Sequence, residues 1–564
     1  MFKQIVSAFT LACALAPINP ARADVDAGAY LAGRQAGADN DFVAGARYFT
    51  KGLMADPTDA YILENAMTSF VALGQFGRAV PVAQAIVDQG YHSPIAYLVL
   101  SAAEAKVGNW AGVFAGLERG QNIGPLVDGL SQGWAHLGEG DINAAMGSFD
   151  RVIHTEGMGV YGRTHKAYAL ATVGDFEGAA AMFTASADGH RYNRQSAIAH
   201  VQILSQLGLN EDALAIVDAI FGRQLDPAVA VMRDELAAGN AVAYDAISTP
   251  AEGMADLYFT IAGLVRDEAP DAFTLMYVRA ANYLDPTNTP ALLMTAALLE
   301  DLEQYDLVNT ALGGVSRDDP SFHAAEIARA EALRSADKDD AAIEVLEALS
   351  RSHPDLPNVW ASMGDTLRQA ERYGQANDAY SAALGLYDDE NPAKWFVYYT
   401  RGITNHALDL WPAAEADFRA ALALNPDQPQ VLNFLGYSLV ERGEKLDEAL
   451  GMIETAVAAR PDSGAIVDSL GWVLFQLDQY ADAVVHLEHA ASLTPVDSVI
   501  NDHLGDAYWA VGRETEARFQ WNRALSFDPE ETEATRIRDK LARGLDLVLQ
   551  DEGADPIHVA SGDD

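Results

Sequence analysis

Two histidines three residues apart, His486 and His489, have the spacing that could bring two imidazoles to one metal ion on a helix face. No third ligand accompanies them and His489 adjoins Ala490, so helix packing is the expected role, and no metal or cofactor is expected. Carboxylates abound, with 81 Asp and Glu against 37 Lys and Arg. An acid pair does glycosidase chemistry only in a cleft that raises one pKa, and no segment marks such a cleft. The glycine-containing turns lack the Lys-Ser or Lys-Thr of a phosphate loop, and neither a serine nucleophile elbow nor a zincin helix occurs. The single cysteine, Cys13, leaves the remaining chain without a thiol for disulfide, zinc or nucleophilic chemistry. Binding, not catalysis, is the expectation.

The elements that must position binding residues repeat. Pro426, Pro461, Pro495 and Pro529 step by 35, 34 and 34, and Gly436, Gly471 and Gly505 follow in phase. Small residues recur at Ala414, Ala449, Ala483 and Ala517 and at Ala421, Ala456, Ala490 and Ala524. Bulky ones recur at Phe418, Ile453, Leu487 and Trp521. Small side chains let two helices cross closely, bulky ones fill the hole between them, and proline ends the second helix by lacking an amide hydrogen. Pro354, Pro320 and Pro286 carry the step of 34 backwards. In the N-terminal half Ala145, Ala179 and Ala213 keep it, as do Gly45 and Ala79. The frame shortens between Ala79 and Ala145, lengthens at Asp388 to Pro392, and fails around Gly239 to Gly253, where a hinge is expected.

These positions resemble the signature of the tetratricopeptide repeat, a helix-turn-helix unit. The resemblance implies an all-α TPR solenoid, a right-handed superhelix of about thirteen helix-turn-helix units. Its expected divisions are a degenerate N-terminal solenoid over 24–235, an irregular hinge over 236–255, a C-terminal solenoid over 256–545 and an acidic disordered tail over 546–564.

Lys3, the apolar run Ile5 to Ala16 and Ala21-Arg22-Ala23 read as a secretory signal peptide over 1–23, cut before Asp24, which points to the periplasm. A lipid anchor on Cys13, through Leu11-Ala12-Cys13, is the alternative. The run is shorter than the roughly 20 apolar residues that cross a bilayer, so no transmembrane segment is expected. A net charge of -44 excludes nucleic acid as a natural partner. It either keeps a long chain soluble or selects basic clients.

In the tetratricopeptide repeat the first helix of each pair lines a concave groove. Carried over position by position, the resemblance places Tyr399 and His406, then Asn433, Tyr437 and Glu441, then Asp468, Trp472 and Phe475, then Asp502, Asp506 and Trp509 along that groove. Acids and aromatics there suit a protein or peptide client with basic and apolar anchors; the same aromatics could instead be inter-helix core.

The segments Leu432 to Tyr437, Val467 to Trp472 and Ile500 to Trp509, with Glu516 to Trp521, resemble more narrowly a proteobacterial family of exported repeat adaptors over 395–530. That family binds a periplasmic carboxyl-terminal processing protease and brings it cell-wall hydrolases. An assembly factor for outer-membrane proteins or exported polysaccharide is the competing expectation.

Overall fold

The computed structural model describes residues 27–184, 193–222, 225–388 and 391–557. The signal-peptide motif, Cys13 and the last seven residues lie outside them. Among the described residues there are 31 helices and no strand.

The pairing follows from size complementarity. A Cβ added to Gly436 would sit 2.8 Å from Ile453, at Gly471 2.5 Å from Leu487 and at Gly505 2.4 Å from Trp521. Each glycine therefore admits the bulky residue of its own second helix, and Ala449, Ala483 and Ala517 are fully buried at the same crossings. Gly133 with Phe149 and Gly364 with Tyr380 repeat the device upstream, at 2.4 and 2.5 Å. The architecture is an all-α solenoid of helix pairs. Its described residues fall into two compact units that meet at 345/346, inside the helix Asp339–Ser352.

In the first unit the pairs run regularly to the helix Asn210–Phe221. A lone first helix, Pro227–Ala237, follows, and the chain then crosses in a non-helical strap over residues 240–249. The strap, where the sequence placed a hinge, is tied to the neighbouring helices. Val242 N–H donates to Ser205 Oγ at 2.9 Å, Gln202 Nε2 donates to Asp245 Oδ1 at 2.6 Å, and Thr172 Oγ1 donates to the Ile247 carbonyl at 2.9 Å. Ile247 itself is buried.

The strap delivers a hairpin of two helices, Pro250–Val265 and Asp271–Leu284, onto the first helices Ala60–Ala72, Pro94–Lys106, Pro125–Gly138 and Gly159–Thr172. The groove of this unit is thereby filled by its own chain. Gly253 permits the approach, since a Cβ there would lie 2.4 Å from the Trp134 ring. Phe76 stacks on Tyr283 at 4.2 Å, and Lys106 Nζ donates to the Leu284 carbonyl at 2.9 Å.

In the second unit the pairs end in a cap helix, Glu531–Arg543. The tail expected to be disordered from 546 is instead helical over Leu545–Asp551. Leu545 and Val548 are buried, and Ile557 N–H returns to Asp546 Oδ1 at 3.0 Å. Apolar residues at helical spacing fix it to the core.

Candidate protein-binding groove

Four first helices position the eleven expected groove residues: Lys394–Ala407, Pro429–Glu441, Gly464–Gln476 and Ser498–Ala510. They do not form one surface. Asn433, Tyr437 and Glu441 line a cavity of about 340 Å³ that also receives His406. Tyr437 and Glu441 continue into a second cavity of about 640 Å³ with Trp472, Asp502, His503, Glu533 and Arg536. This double cavity is the open part of the groove. Tyr399 lines neither cavity, and its ring lies 6.2 Å from Phe418 and 6.3 Å from Phe434.

Several expected ligand contacts are internal contacts. Asp468 is 4% exposed and accepts from His503 Nδ1 at 3.0 Å. Asp506 is 1% exposed and accepts from Lys540 Nζ at 2.7 Å and Trp521 Nε1 at 2.8 Å. Asp502 accepts from the same Lys540 Nζ at 2.7 Å. Phe475 is buried in the core, and Trp509 packs against Trp521 while donating to Asp546 Oδ2 at 3.0 Å. Phe475, Asp506 and Trp509 therefore hold the fold. Buried charge needs a partner, and the cap helix supplies it through Arg536 and Lys540, one turn apart on one face.

Electrostatics follow from that arrangement. Burial opposes charge on His503, but the Asp468, Asp502 and Asp506 carboxylates outweigh it and hold the imidazole above its ordinary value. Burial, reinforced by repulsion from Asp506, raises Asp502 against the pull of Lys540. Burial likewise raises the Tyr437 phenol, and the Glu441 and Asp468 carboxylates push the same way. Trp472 is sandwiched, with Phe475 stacked at 4.9 Å and His503 at 4.0 Å. Its partly exposed ring forms a fixed wall of the larger cavity.

The repeat frame carries the array to 545, which includes the cap helix beyond the last full pair, but does not assign its basic side chains as partners of the groove carboxylates. Their signal was present: Arg536, Arg538, Lys540 and Arg543 cluster in a chain of net charge -44. No group of three or more metal-ligating side chains occurs among the described residues, and His486 and His489 belong to none. No described helix is long and apolar enough to cross a membrane.

The tetratricopeptide repeat family model matches residues 399–464 and 435–498. Residues 399–498 are thus similar to tetratricopeptide repeats. A curated relative, TPR repeat-containing protein PA4667 of Pseudomonas aeruginosa, is 29% identical over 186 residues, which are 33% of this chain and 31% of that protein. Among solved structures, the Cut9-Hcn1 assembly matches 92% of this chain and 96% of its own at 14% identity and a TM-score of 0.39. Yeast Tom70 matches 93% and 97% at 14% identity and a TM-score of 0.32. A tetratricopeptide repeat protein of Parabacteroides merdae matches 44% and 96% at 16% identity and a TM-score of 0.36.

Proposed function

We propose that the protein is a non-catalytic interaction scaffold that takes a protein or peptide client in the double cavity around Tyr437, Glu441 and Trp472. One observation carries this reading: the groove of the second unit is open there, whereas the hairpin Pro250–Val265 and Asp271–Leu284 fills the groove of the first. Tetratricopeptide repeats work by holding protein partners on such first-helix surfaces, which favours the same role.

The client chemistry is narrower than the spacing of acids suggests. Asp468, Asp502 and Asp506 are neutralised internally, so attraction falls to Glu441 and Glu533, exposed carboxylates with no basic partner among the described residues. A lysine or arginine between them, beside the Tyr437 ring and against the edge of Trp472, gains charge attraction there. A polysaccharide track would present aromatic platforms along one face. The sandwiching of Trp472 and the covering of Trp509 weigh against it.

The motif at Lys3, Ile5 to Ala16 and Ala21-Arg22-Ala23 supports a periplasmic setting. There, the likeness of 395–530 to exported protease adaptors makes a processing protease and its wall-hydrolase substrates the favoured partners. Linking two clients on one frame raises their effective concentration without chemistry.

Affinity capture of the tagged mature protein from an envelope extract, compared with its Tyr437→Ala and Glu441→Lys variants, tests the proposal. A basic client recovered by the parent and lost from both variants supports it. Equal recovery by all three moves the site elsewhere.

A further inference from the structure

The lone helix Pro227–Ala237 is a first helix without a second. Its left-handed turn residue Gly239 corresponds to Gly443, and in that register Ala228, Val231, Met232 and Glu235 correspond to Leu432, Leu435, Gly436 and Leu439. Those four bury themselves in the second unit, with Gly436 meeting Ile453 of the paired second helix Leu446–Ala459. In the first unit the chain leaves as the strap instead. The corresponding face lines a cavity of about 740 Å³ with Ile198, Val242 and Pro320. Val231 is 64% exposed there, an aliphatic side chain at a position that the repeat normally buries.

The rim is acidic. A neighbouring cavity of about 500 Å³ shares Ile198, Ala228, Asp245 and Pro320 and adds Glu252, Asp285 and Asp319. These carboxylates accept from neutral donors: Asp245 from Gln202, Asp285 from Thr287, Asp319 from Thr289 and Glu252 from the Ser248 amide. Arg194, at the same rim, is already held by both oxygens of Asp226.

We infer that this face is a second docking surface, whose occupant is an amphipathic, basic helix of a partner protein that supplies the missing second helix. Met232 stands where Gly436 admits Ile453, so the occupant must present a small residue against Met232 and an aliphatic one a turn away against Val231, with lysine or arginine flanking them to meet Asp245, Asp285 and Asp319. This surface is independent of the Tyr437 groove, and either can fail without the other.

The probe is a fluorescent peptide of residues 446–459 carrying Asp447→Lys, Glu448→Lys and Glu454→Lys, titrated into the full-length protein. The unaltered acidic peptide and a basic peptide with Ile453→Asp serve as controls. The basic peptide binds saturably, and each control binds at least about tenfold more weakly. Val231→Asp in the protein, a surface change that leaves circular dichroism unaltered, weakens binding about tenfold, and Asp319→Asn reduces its salt dependence. Tyr437→Ala leaves it unchanged. Equal binding by the Ile453→Asp peptide, or no effect of Val231→Asp, overturns the inference. So does a self-association in sedimentation that Val231→Asp abolishes, since the occupant is then a second copy.

Discussion

At the scale of single residues, the most consequential groups are ionisable side chains held inside helix contacts. Asp256, on the hairpin that fills the first unit's groove, lies 3.9 Å from His165, which in turn accepts from Trp134 Nε1 at 3.2 Å. Burial pushes Asp256 up from 3.8 to about 7 and pulls His165 down from 6.5 to about 3. For a raised carboxyl, stability is fully present below the unfolded value of 3.8 and is lost as pH rises toward 7. For the lowered imidazole it is present above 6.5 and lost as pH falls toward 3. Asp256→Asn should therefore stabilise the first unit by roughly 2–4 kcal/mol near pH 8 and by little near pH 4, read by thermal unfolding. A gain that is the same at both pH values would contradict the assignment. In the second unit, Lys540→Met leaves the buried Asp502 and Asp506 only the more distant Arg536 and should cost about 3 kcal/mol in denaturant unfolding. The spacing of these aspartates was legible, but their partner lies 38 and 34 residues away, outside the repeating pairs.

Among elements, what was legible is what recurs. Gly436, Gly471 and Gly505 sit at one repeat position and each meets a bulky residue in the same paired helix, so a local rule generates each pair. The hairpin Pro250–Val265 and Asp271–Leu284 obeys the same helical patterning, yet its docking contacts reach 157 residues upstream at Ser101 and 178 at Lys106, and no local rule points to them. Gly253, which looked like a broken repeat, is the contact that admits the Trp134 ring. Gly253→Ala should weaken hairpin docking by about 1–3 kcal/mol and speed amide exchange over 250–284. Gly263→Ala, on the same helix with open space around it, should instead be neutral or stabilising by up to about 1 kcal/mol. Turns give a third test. Glu371 closes its turn at φ +57°, where Gly74 stands in the equivalent turn near the start of the chain. Glu371→Gly should raise stability by about 1 kcal/mol, measured as a shift in denaturant midpoint.

For the whole molecule, the net charge of -44 sets a long-range field that attracts cationic partners and weakens with salt, while self-repulsion keeps the chain dispersed. That field does not choose a site. The proposed site rests on closure: the first unit fills its central groove with its own hairpin, and the second leaves Tyr437, Glu441 and Trp472 accessible. Amide hydrogen exchange on the complex with a captured client tests that claim most directly. Protection should appear over 433–441, 468–476 and 498–509, with the first helices between 60 and 172 and the hairpin over 250–284 unchanged. Protection across 60–172 accompanied by faster exchange over 250–284 would mean that the client displaces the hairpin, and would contradict the account.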